Sequence, residues 1–179
     1  KINQSAHPGW VNYLAHPWVN ILAVDNAWAS VCASLSISYL NPADSIEHIV
    51  DTISRSELVI SEAMHGAIIA DALRVPWIPV RTRRYILEFK WQDWAASLGM
   101  EHEFEWLPPI WNGTASQPYK RLAHPILVPL ARERLQWLVK HGRRRQSTEE
   151  AFLKVYDRLK ETLSQLIDDV AQASPKTCS

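Results

Sequence analysis

Cysteine is nearly missing from these 179 residues: only Cys32 and Cys178 occur, and the second lies in a polar tail. A disulfide framework is therefore not the basis of the fold, and a reducing compartment is expected. Excess charge of one sign is also missing, because Lys plus Arg and Asp plus Glu both number 19. That balance excludes a nucleic-acid binder working through bulk basicity. No run reaches the roughly 18 apolar residues of a membrane span. Neither an initiator Met nor a signal-peptide layout opens the chain, which starts Lys1-Ile2-Asn3-Gln4; it is expected to be the later part of a longer polypeptide. Glycine is scarce, five residues against nine tryptophans, as in a packed fold or a binding surface rather than a linker. What is present, 47% hydrophobic and 21% charged residues, suits a chain that buries a core and excludes generic disorder.

Residues 1–27 read as an irregular lead-in, punctuated by His7-Pro8-Gly9 and His16-Pro17. The third Ala-His-Pro, at 123–125, reads as another turn, because no histidine pair has ligand spacing on one element. Leu35 to Tyr39 alternates as a short strand. Asn41-Pro42 then opens a helix whose stripe is Ile46, Ile49, Val50 and Ile53. Glu57 to Ser61 is a continuous apolar strand, Ala63 to Leu73 a second helix, and Pro76 to Val80 a third strand. Such alternation with short joins predicts an α/β domain over 28–120, a Rossmann-like parallel sheet with flanking helices. A helix with Trp91, Trp94, Ala95 and Leu98 stops at Gly99, and residues 107–120 read as loop. A helical extension follows over 121–171, with a Ser147/Glu150 capping box and a stripe from Phe152 to Val170, then a tail over 172–179. The stripe reads as a docking face against the rest of the protein.

In open parallel sheets, ligands bind beyond the carboxyl ends of the strands. One such end is Ser61-Glu62-Ala63-Met64-His65-Gly66, where a strand hands over to a helix. Helix N-termini attract anions, Gly66 permits close backbone approach, and His65 adds a titratable group. Taken from spacing alone, the corner is equally a cap in which His65 and Glu62 only hold the helix start. The second end is Arg81-Thr82-Arg83-Arg84, with Lys90 further on. These cations are candidates to hold an anionic donor, or simply a solvated loop. Gly142-Arg143-Arg144-Arg145 reads as plain surface or a contact with anionic lipid or a partner, and Trp91 and Trp94 read as core. Trp106 and Trp111 are the better candidates for stacking on a sugar.

The stretch from Ser56 to Trp77, with strand, Ser-Glu-x-x-His-Gly, Ala-rich helix and Val-Pro, resembles the signature of the polysaccharide pyruvyl transferase family. The likeness is to its bacterial exopolysaccharide branch, and Asn41 to Asp44 and Lys90 to Leu98 are similar to that branch as well. It covers roughly residues 28–107. The resemblance implies one half, the C-terminal one, of a GT-B-like fold, completed by a missing N-terminal domain. It implies transfer of a pyruvyl group from phosphoenolpyruvate to a sugar of a lipid-linked oligosaccharide, as a ketal. The setting it implies is cytoplasmic, or peripheral to the inner membrane. His65 takes the position of the family's motif histidine, in donor binding or proton transfer. The donor set implied is Ser61, Glu62, Gly66, Arg81, Arg83 and Lys90, with no metal and no cofactor beyond the co-substrate. Many members carry an Arg two residues before the histidine; here that position is Ala63, so the cation is expected from Arg81, Arg83 or Lys90. Two other readings compete: half of a GT-B glycosyltransferase using a sugar nucleotide, and a non-catalytic interaction module or truncated remnant.

Overall fold

A computed structural model describes residues 11–14, 27–41, 43–82, 88–111 and 118–173. The elements are β1 (Val11–Leu14), α1 (Ala27–Ser34), β2 (Ser38–Leu40), α2 (Ile46–Ser54), β3 (Leu58–Ser61) and α3 (Met64–Ala72). After them come β4 (Trp77–Arg81), α4 (Glu88–Ser97), β5 (Glu105–Trp106), α5 (Pro118–His141) and α6 (Glu149–Ala173). By packing, the chain forms two compact units: Lys1–Glu88 with Glu103–Gln146, and Phe89–His102 with Ser147–Ser179.

The first unit is built on a five-stranded parallel sheet of order β2-β1-β3-β4-β5. β1 is a correction to the sequence reading: the segment taken as irregular holds the strand between β2 and β3. Its hydrogen-bond partners are distant in sequence, with Val11 opposite Leu58 and Asn12 opposite Ser38. The first unit covers its sheet on both faces. Leu58, Ile60, Ile78 and Val80 join Trp28, Val31, Cys32, Ala131, Leu135 and Leu138 in one core cluster, so α1 and α5 lie on that face. Residues alternate across a strand, and Trp77 on the opposite face donates through Nε1 to Asp71 of α3 at 3.1 Å. Every residue of β3 is buried, which explains its unbroken apolar run.

Cys32 sits inside the cluster, and desolvation pushes its thiol up to about 12. It is a packing residue rather than a nucleophile. Cys178 lies outside the described residues.

Several local expectations shift. α2 is capped by Ser45, whose hydroxyl accepts from His48 N at 3.2 Å. Asn41 instead forms its own turn, its side chain accepting from Ala43 N at 3.0 Å; Pro42 lies outside the described residues. The cap of α6 is Thr148, accepting from Ala151 N at 3.2 Å, one residue past Ser147, which is buried. His124-Pro125 marks no turn, because Pro125 and Pro129 both lie within α5. In the second unit, α4 stops where expected, at a Gly99 with φ of 66°. The α6 stripe is exposed, with Leu159, Leu163, Leu166 and Val170 each more than half open.

After α5 the chain passes under β4. Arg145 pairs with Trp77 in an isolated antiparallel bridge, and a methyl group on Gly142 meets Leu138 O at 2.6 Å and Ile78 Cδ1 at 2.7 Å. Both distances are shorter than any real Cβ contact. Gly142→Ala is therefore expected to lower stability by about 1–3 kcal/mol, seen as a lower urea midpoint at unchanged slope.

Candidate functional site

The strand order reverses at β1: the chain runs outward to β2 on one side and to β3, β4 and β5 on the other. The point of reversal, between β1 and β3, is where neighbouring connections part and leave a crevice beyond the carboxyl ends. The β3–α3 corner stands there. Ser61, fully buried, donates its hydroxyl to Ala63 O at 2.6 Å and so shapes the bend. Ala63 is the N-cap of α3 with extended backbone, and no side chain caps this helix. Its leading N–H groups and the positive end of its dipole are thus left to solvent or to an anion. His65, in the first turn, is exposed, whereas Gly66 is buried.

Glu62 ties this corner to the next strand end. Its carboxyl group is buried, at 2% exposure. Oε1 accepts from Thr82 N at 2.8 Å and from Thr82 Oγ1 at 2.6 Å. Ser61 lies opposite Pro79 in the β3–β4 ladder, so two adjacent strand ends are locked by one side chain. The lock fixes Arg81 at the mouth of the same edge. Arg81 is partly exposed, with Nη1 3.8 Å from Glu88 Oε2 and its guanidinium carbon 5.8 Å from the Phe104 ring centre. A cation held this loosely can turn toward an incoming anion. Glu62 Oε2 is buried with no hydrogen-bond partner among the described residues.

Residues 12–84, which contain this whole arrangement, match the family described as polysaccharide pyruvyl transferase. The match covers 73 of the 179 residues, so that segment is similar to the polysaccharide pyruvyl transferase family. The succinoglycan biosynthesis protein ExoV of Rhizobium meliloti (strain 1021) is similar to it, 41% identical over 80 residues. Those residues are 45% of this chain and 25% of that protein, so the matched stretch spans a quarter of the relative's length. No solved structure matches.

The matched segment begins earlier than the motif resemblance, which started near residue 28, and takes in all of β1 but Val11. It ends at residue 84, so the stretch from Lys90 to Leu98 lies beyond it. Of the expected donor residues, Ser61, Glu62, His65, Gly66 and Arg81 share the edge just described. Arg83 lies outside the described residues. Lys90 is exposed on α4, in the second unit. Sequence reasoning gave Thr82 no role, although it is the residue that receives Glu62. A threonine amid arginines carried no pattern, and its role appears only once β3 and β4 are neighbours. Trp106 is on β5 and half exposed, and Trp111 faces Lys120, whose Nζ is 5.4 Å from the ring centre. An open groove of about 480 Å³ runs between α1 and α5 along Val31, Val128 and Arg132, and contains none of the donor-site residues. Among the described residues, no three His, Cys, Asp or Glu side chains converge as a metal site.

Proposed function

We propose that this chain is part of a pyruvyltransferase that decorates an exopolysaccharide repeat unit, with phosphoenolpyruvate as donor and a lipid-linked oligosaccharide as acceptor. The observation that carries this reading is the uncapped N-terminus of α3 with exposed His65, locked through Glu62 and Thr82 to the strand end bearing Arg81. The match of residues 12–84 to the polysaccharide pyruvyl transferase family and the likeness to a succinoglycan biosynthesis protein support the class of acceptor. The remaining wall of the cleft is proposed to come from a second Rossmann-like half outside this chain, giving a GT-B-like whole. The protein works on the cytoplasmic side, at the membrane surface where such acceptors are carried.

In the proposed reaction, the donor's methylene carbon takes a proton, leaving an oxocarbenium-like centre at the adjacent carbon. One sugar hydroxyl adds there and loses its proton. The bond from that carbon to the phosphate oxygen breaks, and a second hydroxyl adds and loses its proton. Of the two hydroxyl protons, one is balanced by the new methyl group and one by inorganic phosphate, so the products are a cyclic ketal and phosphate. His65 moves these protons. The leading N–H groups of α3 and the Arg81 guanidinium receive the anionic donor and offset charge on the departing phosphate.

The test uses the full-length protein with its lipid-linked acceptor. Phosphoenolpyruvate should be consumed only when acceptor is present, releasing one phosphate per ketal formed, the ketal being read by mass and by its methyl proton resonance. Consumption of a nucleoside diphosphate sugar instead, with no phosphate from phosphoenolpyruvate, overturns the reading in favour of glycosyl transfer.

A further inference from the structure

The described tryptophans differ in what stands on their rings. Trp28, Trp77 and Trp91 are buried, and Trp94 meets Trp91 edge-on at 6.2 Å. Trp111 lies under the Lys120 ammonium at 5.4 Å, and Trp137 under the Arg134 guanidinium at 4.4 Å. Trp106 is the exception: it is 48% exposed, and no ring or cation among the described residues stands over it. Its backbone is nonetheless fixed on both sides. The carbonyl of Trp106 accepts from Arg134 Nε at 3.1 Å, and the next N–H, that of Leu107, donates to Arg81 O at 2.9 Å. Arg134 is itself held by Glu105, Nη2 to Oε2 at 2.7 Å, and Leu107 is fully buried. A large ring left bare on a pinned strand end is a preformed surface, because little further ordering is needed when a partner arrives.

The register fixes where that ring lies. Trp106 ends β5 directly opposite Arg81, which ends β4. Paired residues of a ladder project to the same face, and neighbouring strands stand about 4.8 Å apart. The preceding pair, Val80 and Glu105, takes the other face: Val80 joins the core cluster with α5, and Glu105 reaches Arg134 of that helix. Trp106 therefore shares with Arg81 both the face and the carboxyl edge, where ligands of a parallel sheet bind. Glu88 and Phe104 stand beside Arg81, Glu88 through Oε2 at 3.8 Å from Nη1 and Phe104 with its ring centre 5.8 Å from the guanidinium carbon.

We propose that Trp106 is the platform for a pyranose ring of the acceptor saccharide, with Arg81 and Glu88 as the hydrogen-bonding groups beside it. A pyranose has faces of C–H bonds and a rim of hydroxyls. An open aromatic face next to a guanidinium and a carboxylate answers both. The placement also suits transfer, since the acceptor hydroxyls must come next to the anion that Arg81 receives. The inference rests on the saccharide acceptor proposed above. Its readout needs neither donor nor turnover, so a protein that binds saccharide through Trp106 without consuming phosphoenolpyruvate keeps the platform and loses only the donor.

The experiment is saturation-transfer NMR on the full-length protein without donor, with cellotetraose and β-1,4-galactotetraose as probes. At least one of the two is expected to bind. Trp106→Leu should weaken that binding about tenfold or more, and Trp106→Phe, which keeps an aromatic face, should restore most of it. Trp111→Leu should leave it unchanged, because Lys120 already stands on that ring. Trp106 is half open, so an unaltered urea midpoint separates lost binding from lost folding. Binding of neither probe, undiminished binding in Trp106→Leu, or equal loss in Trp111→Leu overturns the proposal. Binding of uridine diphosphate that disappears in Trp106→Leu, while neither tetrasaccharide binds, overturns it in favour of a nucleobase on the same ring.

Discussion

Replacing Glu62 with Ala is expected to lower stability by about 2–4 kcal/mol and to open the Thr82 amide to hydrogen exchange. The magnitude follows from what is left behind. Glu62 Oε1 is the acceptor for both the backbone N–H and the hydroxyl of Thr82, and both residues are buried, at 2% and 5% exposure. Truncation strands two donors away from water and leaves a void where the side chain stood, and each of those effects is unfavourable. Glu62→Gln separates the contributions. Its carbonyl oxygen can still accept from Thr82, while its amide replaces Oε2, which has no partner among the described residues. A loss of about 1 kcal/mol is expected there, a fraction of the alanine effect. Thr82→Val, which keeps the backbone donor and removes the hydroxyl, should fall between them. Urea unfolding gives the free energies, and exchange at the Thr82 amide reports the lock itself. Equal losses in Glu62→Ala and Glu62→Gln, with the Thr82 amide still protected, would show that the carboxyl group does not hold the two strand ends together.

The same lock marks the boundary between what local pattern foretold and what only the assembled sheet disclosed. β3, α3 and β4 were legible because each carries its own signal: an unbroken apolar run, an Ala- and Ile-rich helix, and a short β-rich segment after Val75-Pro76. The site corner was legible for the same reason, as a strand-to-helix junction with a histidine in the first turn. β1 was not. Four residues, Val11 to Leu14, are too few for a period to register, and the strand exists because β2 and β3 pair with it from either side. α5 was obscured by a related effect. Pro125 and Pro129 are strong local breakers, yet the burial of Ala131, Leu135 and Leu138 anchors the helix, and the prolines sit in the half that faces solvent. Shifted caps at Ser45 and Thr148 belong with these cases. Several residues near each helix start can accept from its first N–H groups, and the path of the incoming chain selects among them. Thr82 is the extreme case, a residue whose role depends wholly on a strand neighbour.

On the proposed reaction, His65→Ala should lower turnover about 10²- to 10⁴-fold while leaving stability within about 0.5 kcal/mol. The two halves of that expectation have separate causes. His65 is exposed in the first turn of α3 and forms no part of the core cluster, so removing its ring leaves no cavity and no stranded buried partner. The imidazole is nonetheless the titratable side chain that the β3–α3 corner presents beside the free N–H groups of the helix, and protonation of a carbon atom needs a positioned acid. The loss should therefore fall on kcat, with donor KM changed little, and His65→Gln should be as poor as alanine, because an amide hydrogen-bonds without transferring a proton. Arg81→Ala is the contrasting variant. A guanidinium that receives the donor's anionic groups contributes to binding as well as to charge stabilisation, so donor KM should rise more than kcat falls. The measurement is steady-state phosphate release by the full-length protein with its acceptor, alongside urea unfolding of each variant. Full turnover in His65→Ala would remove the proton-transfer role from this corner, whereas a donor KM defect with kcat intact would reassign the histidine to anion binding beside Arg81.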